Sequence, residues 1–225
     1  FHESKQEHEV NGLNKKNGTN PNVKTIYFGQ VVSIDDPYDA MRIKVKIKGC
    51  KNINNLREFI RVNNIKIVLF GEYHGFLNQI QIQRKIIQNV QPDFFLYEML
   101  EEKKILNEKD AKKFLSKLDN KDFSVISTYG QLKPIIRLAR SFDLSIIGCD
   151  INNMCCKDKN WRKNKFSHEE VKRITKKREL QQAKIINKYV SKGLVFVLLG
   201  SHHLRKNSLV LSKLKTKKVI IIKPL

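Results

Sequence analysis

Acidic residues are scarce in this chain of 225 residues, where 22 aspartates and glutamates stand against 44 lysines and arginines. Long hydrophobic runs are absent as well: none approaches the roughly 18–20 residues that a membrane-spanning helix needs, so we expect no membrane span. The first 22 residues are polar and contain no apolar segment typical of a secretory signal peptide, so no signal is predicted. These absences favour a globular protein, in keeping with 40% hydrophobic and 29% charged residues.

Cysteine is also sparse, with Cys50, Cys149 and the adjacent pair Cys155 and Cys156. No two of them form a CxxC pair, which argues against a zinc framework and against a small disulfide scaffold. We therefore expect reduced, mostly buried thiols and a cytoplasmic setting.

The positive charge is unevenly distributed along the chain. The formal net charge is +22, of which residues 150–225 carry +15. Such a basic segment, and the predicted basic helix Glu169–Lys192 within it, favours an anionic partner such as nucleic acid. The competing interpretation is codon usage rich in A and T, since lysine, isoleucine and asparagine are all abundant. Lysine also outnumbers arginine, the better reader of bases, by about three to one.

Three segments are predicted. Residues 1–25 form a polar tail without regular structure. Residues 26–50 contain the mostly apolar run Ile26–Ile34 and the run Arg42–Ile47, in which basic and apolar residues alternate as in a half-buried strand. A turn at Asp35-Asp36-Pro37 joins them. We expect an antiparallel hairpin there, part of a small N-terminal β unit. Because two strands alone are marginally stable, the hairpin needs a partner surface. The alternatives are that it extends the main sheet or mediates self-association by edge pairing.

Residues 51–225 alternate short apolar runs with amphipathic helices. This alternation predicts an α/β domain with a mostly parallel central sheet and helices on both faces. The predicted strands are Ile65–Phe70, Asp93–Tyr97, Leu144–Gly148, Leu194–Leu199 and Val219–Ile222. The predicted helices are Gln79–Val90, Glu108–Leu118, Leu132–Phe142 and Glu169–Lys192.

Polar and titratable residues follow four of these strands. Because the carboxyl ends of parallel strands share one edge of a sheet, these side chains are expected to cluster where such sheets bind ligands. The motifs are Gly71-Glu72-Tyr73-His74, Tyr97-Glu98, Gly148-Cys149-Asp150 and Gly200-Ser201-His202-His203. The grouping suits water activation by a histidine or glutamate base. Two histidines with several carboxylates would equally suit a divalent metal.

The same four motifs, in this order between Lys66 and Pro224, look like those of the erythromycin esterase/ChaN/TraB–Tiki superfamily. The segments Tyr129–Arg140 and Lys177–Ile185 are similar to the stretch before that family's third strand and to its arginine-bearing helix. The resemblance implies an α/β fold and a hydrolase of ester or peptide bonds. Esterase-like members activate water with a histidine, Tiki-like members are peptidases that use a divalent metal, and ChaN-like members bind haem.

Carried over by position, the resemblance implies particular roles. His74 would be the general base or a metal ligand, and His203 would be the second histidine. Glu72 and Glu98 would orient the base or share a metal of the Mn, Co or Zn type. Arg178 would face an oxyanion or a substrate carboxylate. The implied metal set is Glu72, His74, Glu98 and His203; Asp150, Tyr73 and His202 are secondary candidates, and Tyr73 and Tyr97 are candidates for haem.

A second resemblance lies upstream. Phe28–Pro37 and Met41–Gly49 look like the first hairpin of the OB-like domain in tail-hub spike proteins of contractile-tailed phages. It implies phage tail partners and a virion-associated protein. The leading hypothesis is thus a hydrolase acting on a small-molecule or peptide substrate. The alternative is a non-catalytic haem- or ligand-binding module, or a tail structural protein with a vestigial site.

Overall fold

The computed structural model describes residues 23–29, 44–45, 55–73, 79–101, 104–119, 132–151 and 167–224. An eight-stranded sheet forms its centre, with strand order β2-β1-β8-β3-β7-β4-β6-β5. The strands are β1 (Val23–Gly29), β2 (Lys44–Val45), β3 (Ile67–Glu72), β4 (Phe94–Glu101), β5 (Lys104–Ile105), β6 (Ile146–Asp150), β7 (Val195–Gly200) and β8 (Val219–Pro224). The described helices are α1 (Leu56–Val62), α2 (Gln79–Val90), α3 (Glu108–Asp119), α4 (Leu132–Arg140), α5 (His168–Val190) and α6 (Leu209–Lys213).

The sheet is mostly parallel, as predicted. Antiparallel pairing occurs at its two edges, between β1 and β2 and between β5 and β6. The central strands β3 and β7 are buried at every position. A strand buried on both faces needs apolar residues throughout, which explains continuous runs such as Val195–Leu199 in place of alternating ones.

Helices cover both faces of the sheet, and this also confirms the prediction. One core cluster joins the sheet to α1, α2, α3 and α4. A second cluster, on the opposite face, joins it to α5 and α6. Three of the turns that end a helix place a residue in the left-handed region: Asn64, Gln91 and Asp143. Each reverses the chain directly into the next strand, and two are the Asn or Asp that best tolerates this conformation.

The long helix α5 begins at a capping box. The Ser167 side chain accepts a hydrogen bond from the Glu170 backbone N–H, and the Glu170 side chain accepts one from the backbone of Ser167. This exchange satisfies backbone donors that the first turn leaves open. The inner face of α5 then packs Ile185, Ile186 and Tyr189 against the sheet.

The N-terminal hairpin lies at one edge of the same sheet. β1 pairs antiparallel with β2 and parallel with β8, with Val23 opposite Val219. This is the arrangement of the alternative in which the hairpin extends the main sheet. β1 begins at Val23, so the predicted polar tail of residues 1–25 is too long by three residues, which gain backbone hydrogen bonds from β8. Residues 1–22 lie outside the described part of the chain.

No helix among the described residues is long and apolar enough to cross a membrane.

Candidate active site

The carboxyl edge of the sheet carries a buried polar cluster. The register of β4 against β6 shifts at this edge, since Tyr97 pairs with Gly148 but Glu101 pairs with Asp150. Four residues of β4 therefore span the length of two in β6, a bulge that redirects side chains at the strand end. Glu98 lies in this bulge, is 2% exposed and accepts a hydrogen bond from the Gly200 N–H at 2.7 Å. The Glu98 carboxylate is thereby fixed against the end of β7.

His203 lies beside Glu98. A single turn of 3₁₀ helix, Ser201–Leu204, follows β7 directly and turns His203 inward, so that the residue is 4% exposed. The Nε2 atom of His203 is 3.7 Å from Glu98 Oε2, and its Nδ1 atom is 3.4 Å from Glu179 Oε1. The imidazole ring is thus held between two buried carboxylates.

Gly71 makes room for the 3₁₀ helix against β3. A Cβ atom at this position would lie 3.2 Å from Leu204 Cδ1 and 3.2 Å from Ser201 Cα. Both distances are closer than a comfortable carbon–carbon contact, so any side chain here would push against the helix that holds His203. The glycine of the first motif therefore positions the histidine of the last one.

Glu179 is anchored independently of the imidazole. Its residue is fully buried, its Oε2 accepts a hydrogen bond from the Leu209 N–H at 2.9 Å, and its Oε1 accepts one from Arg205. Arg205 also donates to the carbonyl oxygen of His202 at 2.9 Å. Glu179 therefore ties α5 to the start of α6 and to the 3₁₀ helix.

Arg178 forms the other ion pair of the cluster. Its Nε atom donates to Asp150 Oδ1 at 3.1 Å and to Oδ2 at 2.8 Å, and its Nη2 atom donates to Oδ2 at 2.5 Å. The same Nη2 atom lies 3.8 Å from Glu98 Oε1. The Asp150 and Arg178 side chains are 4% and 19% exposed. This two-point contact is the geometry in which arginine recognises a carboxylate most strongly. Arg178 therefore bridges the ends of β4 and β6.

Burial governs the protonation of the cluster. It lowers the pKa of His203 below its usual value of 6.5, although Glu98 and Glu179 act in the opposite direction. Burial likewise raises the pKa of Tyr97 well above 10.0, with Glu72 and Glu98 adding to the effect. Burial also raises the pKa of the Cys149 thiol well above 9.0. At neutral pH we thus expect a neutral imidazole, a neutral phenol and an unreactive thiol.

The predicted site residues divide into three groups. Glu98, Asp150, Arg178 and His203 lie in direct contact, as just described. Glu72 is buried at the end of β3, where it pairs with Gly200 of β7, and its charge helps to raise the pKa of Tyr97. The side chains of Tyr73 and His202 are largely exposed instead of buried in the cluster. His74 lies outside the described residues, so its role stays a prediction.

Sequence reasoning missed three polar residues of α5 and its surroundings: Glu179, Gln182 and Arg205. Gln182 is fully buried on the same helix face, and its amide atoms form no hydrogen bond with any described residue. A signal was available for two of them. Glu179 and Gln182 precede the apolar Ile186 by seven and four residues, so both lie on the stripe of α5 that faces the core.

The cofactors implied by the resemblance fit the described residues poorly. Among them, no three histidine, cysteine, aspartate or glutamate side chains are arranged so that they could hold a metal ion, and the Arg178 guanidinium beside Glu98 opposes a second cation there. The four-residue metal set includes His74 and stays a prediction. For haem, Tyr97 is fully buried with a raised pKa, whereas iron binds the phenolate. We therefore derive no step through a metal or haem.

Comparisons with known proteins assign the chain to no family. No protein-family model matches the sequence, and no curated protein matches it. One solved structure, described as "Crystal structure of bacterial protein toxins", resembles the chain with a TM-score of 0.42 and 15% identity. The likeness covers 77% of this chain and 36% of that one, so the chain spans about a third of the length of the toxin structure.

Proposed function

We propose that this protein is a hydrolase of ester or peptide bonds in which His203 is the general base. The observation that supports it is the imidazole held between the Glu98 and Glu179 carboxylates at the carboxyl edge of the sheet. A buried histidine that is neutral at pH 7 can accept a proton from water, as a general base must.

Glu179 would orient the base. If Nδ1–H donates to Glu179 Oε1, the lone pair of Nε2 faces Glu98 and the edge of the sheet. Glu179 can hold the ring in this tautomer because Arg205 and the Leu209 N–H fix its own position. This is the division of roles between an orienting carboxylate and a base that catalytic triads use.

The two carboxylates would also stabilise the transition state. When His203 takes a proton from water, the resulting imidazolium lies 3.7 Å from Glu98 and 3.4 Å from Glu179. Their charges stabilise the cation that forms and do little for the neutral ring, so the stabilisation belongs to the reaction and not to the resting state. We assign to Arg178 the role of hydrogen-bond donor to the developing oxyanion, as the resemblance implies.

The experiment is a hydrolysis screen with matched variants. Purified protein is tested on a panel of nitrophenyl esters and on fluorescently labelled casein. We expect His203→Asn to lower kcat by about 10²–10⁴-fold, the usual contribution of a general base. His168→Asn, an exposed histidine at the start of α5, should leave the rate unchanged. Unchanged turnover in the His203 variant would refute the proposal.

Glu179→Gln separates orientation from chemistry. The amide can still accept from the Leu209 N–H, but it removes the charge beside Nδ1. We expect a reduced kcat with little change in KM, and full activity for the exposed control Glu169→Gln. His74→Asn tests the base that the sequence resemblance implies, and a larger loss there than in His203→Asn would exchange the two roles.

The metal-dependent and the non-catalytic alternatives are tested by separate measurements. A stoichiometric divalent metal that is lost in His203→Asn would support a Tiki-like metallopeptidase instead. A Soret band in the purified protein would support haem binding. Phage tail assembly rests on the resemblance of residues 26–49 alone, and no contact among the described residues favours it.

A further inference from the structure

The outer face of α5 is a line of positive charge. Arg173, Lys177, Lys184 and Lys188 are all exposed, and at about 100° per residue they lie within roughly 40° of one line along the helix. Ile186, at the centre of the buried face, points to the opposite side. At 1.5 Å per residue the line is about 22 Å long.

Two further lysines widen this surface. Asn187 donates from Nδ2 to the carbonyl oxygen of Lys213 at 2.9 Å, and its Oδ1 accepts from the Lys215 N–H at 2.8 Å. Both lysine side chains are exposed. The chain after α6 is therefore fastened to α5 beside Lys184 and Lys188. We call these six residues the basic ridge: Arg173, Lys177, Lys184, Lys188, Lys213 and Lys215.

Acidic residues are almost excluded from this part of the chain. Residues 171–225 contain 15 lysines and arginines but a single acidic residue, Glu179, which is buried and paired with Arg205. The five lysines of the ridge form no ion pair with any residue that the structure describes. Codon usage rich in A and T does not account for this, because it would enrich glutamate (GAA) along with lysine (AAA).

We propose that the basic ridge binds the phosphate backbone of double-stranded nucleic acid without reading its base sequence. Lysine is a flexible point charge suited to phosphates, whereas base recognition favours arginine. A membrane partner would need a continuous apolar face to insert, but that face of α5 is packed against the sheet. The exposed apolar residues Val171 and Leu180 lie nine residues apart, on opposite sides of the helix, and form no such face. A protein partner is disfavoured too, because lysine is depleted at protein–protein interfaces.

The test measures binding of fluorescent DNA duplexes of about 30 base pairs, in two unrelated sequences, across a salt titration. The ridge variant is Lys177→Gln/Lys184→Gln/Lys188→Gln. The control with the same charge change is Lys109→Gln/Lys112→Gln/Lys113→Gln on α3, on the opposite face of the sheet, where all three lysines are exposed. Glutamine keeps the helix propensity of lysine, so both variants should fold.

Each phosphate contact contributes about −0.9 to the slope of log affinity against log salt. We expect the ridge variant to flatten the slope by about 2–3 relative to the control and to lose about 10²–10³-fold in affinity near 0.1 M salt. Both duplex sequences should bind with similar affinity. Equal slopes for the two variants, or binding to phosphatidylserine vesicles but not to duplex, would overturn the proposal. The assay measures binding alone, so either result leaves the hydrolase proposal to be decided by its own activity measurements.

Discussion

Removing Arg178 should destabilise the fold more than removing its partner Asp150. In Arg178→Met, a buried Asp150 carboxylate loses the cation that donates to it, and Glu98 loses the same neighbour. In Asp150→Asn, the guanidinium keeps the Glu98 carboxylate at 3.8 Å, and it is 19% exposed, so water reaches it. The two partners of this ion pair therefore contribute unequally to the free energy of unfolding.

The expected magnitudes follow from this asymmetry. Breaking a buried pair by removing one partner typically costs about 3–5 kcal/mol. We expect about 4 kcal/mol of unfolding free energy for Arg178→Met, since two carboxylates are left behind. We expect about 2 kcal/mol for Asp150→Asn, where the amide oxygen still accepts a hydrogen bond. The double variant should cost little more than Arg178→Met, which gives a coupling energy of about 2 kcal/mol.

Urea unfolding followed by circular dichroism measures all three variants. The exposed Arg137→Met on α4 is the control for loss of an arginine side chain and should stay within about 0.5 kcal/mol of the parent. Two results would refute the reasoning. One is a larger cost for Asp150→Asn than for Arg178→Met, and the other is strictly additive single substitutions.

Three further predictions concern the same edge of the sheet. Burial lowers the pKa of His203 below 6.5, so below that pH the unfolded chain binds a proton that the folded chain does not, and stability should fall as the pH drops through 6.5. His203→Asn should therefore reduce the difference in urea midpoint between pH 7.5 and pH 5.5. An unchanged difference would count against the lowered pKa of His203. Gly71→Ala places a methyl group 3.2 Å from Leu204 and Ser201. We expect it to lower the free energy of unfolding by about 1–3 kcal/mol and to shift the NMR signals of His203. An unchanged free energy of unfolding would contradict the close approach. Tyr97→Phe removes a buried hydroxyl that hydrogen bonds to no described residue, so its urea midpoint should stay equal or rise, and a loss above about 1 kcal/mol would show a missed partner.

Most of the sheet could be predicted from the sequence because its strands are buried on both faces. Continuous apolar runs located β3, β4, β6, β7 and β8, and helical spacing gave α2 its observed bounds, Gln79–Val90. The short edge strand β5 was missed because two residues carry no periodicity. The helices α1 and α6 were missed too, because seven and five residues show barely one turn of pattern.

The site was predictable only as far as strand ends reveal it. Motifs at the carboxyl ends of the predicted strands made Glu98, Asp150 and His203 candidates, because parallel strands bring these ends to one edge. The partners that hold them come from helix α5 and the turn after the 3₁₀ helix, far away in sequence. That Arg178 pairs with Asp150, and Glu179 with Arg205, depends on how α5 lies on the sheet, which local pattern does not encode.

The two faces of α5 link the catalytic proposal to the basic ridge. Lys177, Lys184 and Lys188 lie on the side of α5 opposite Glu179, which contacts His203, so the helix, about 10–12 Å wide, separates them from the imidazole. Positive charges disfavour the imidazolium, so the triple glutamine variant should raise the pKa of His203 in 0.01 M salt, where the Debye length is about 30 Å. In 0.3 M salt the shift should vanish, because screening then acts over less than the width of the helix. NMR titration of the His203 ring at both salt concentrations measures this. A shift that persists in high salt would mean that the substitutions disturb the packing of α5, and that the outer and inner faces of the helix are not independent.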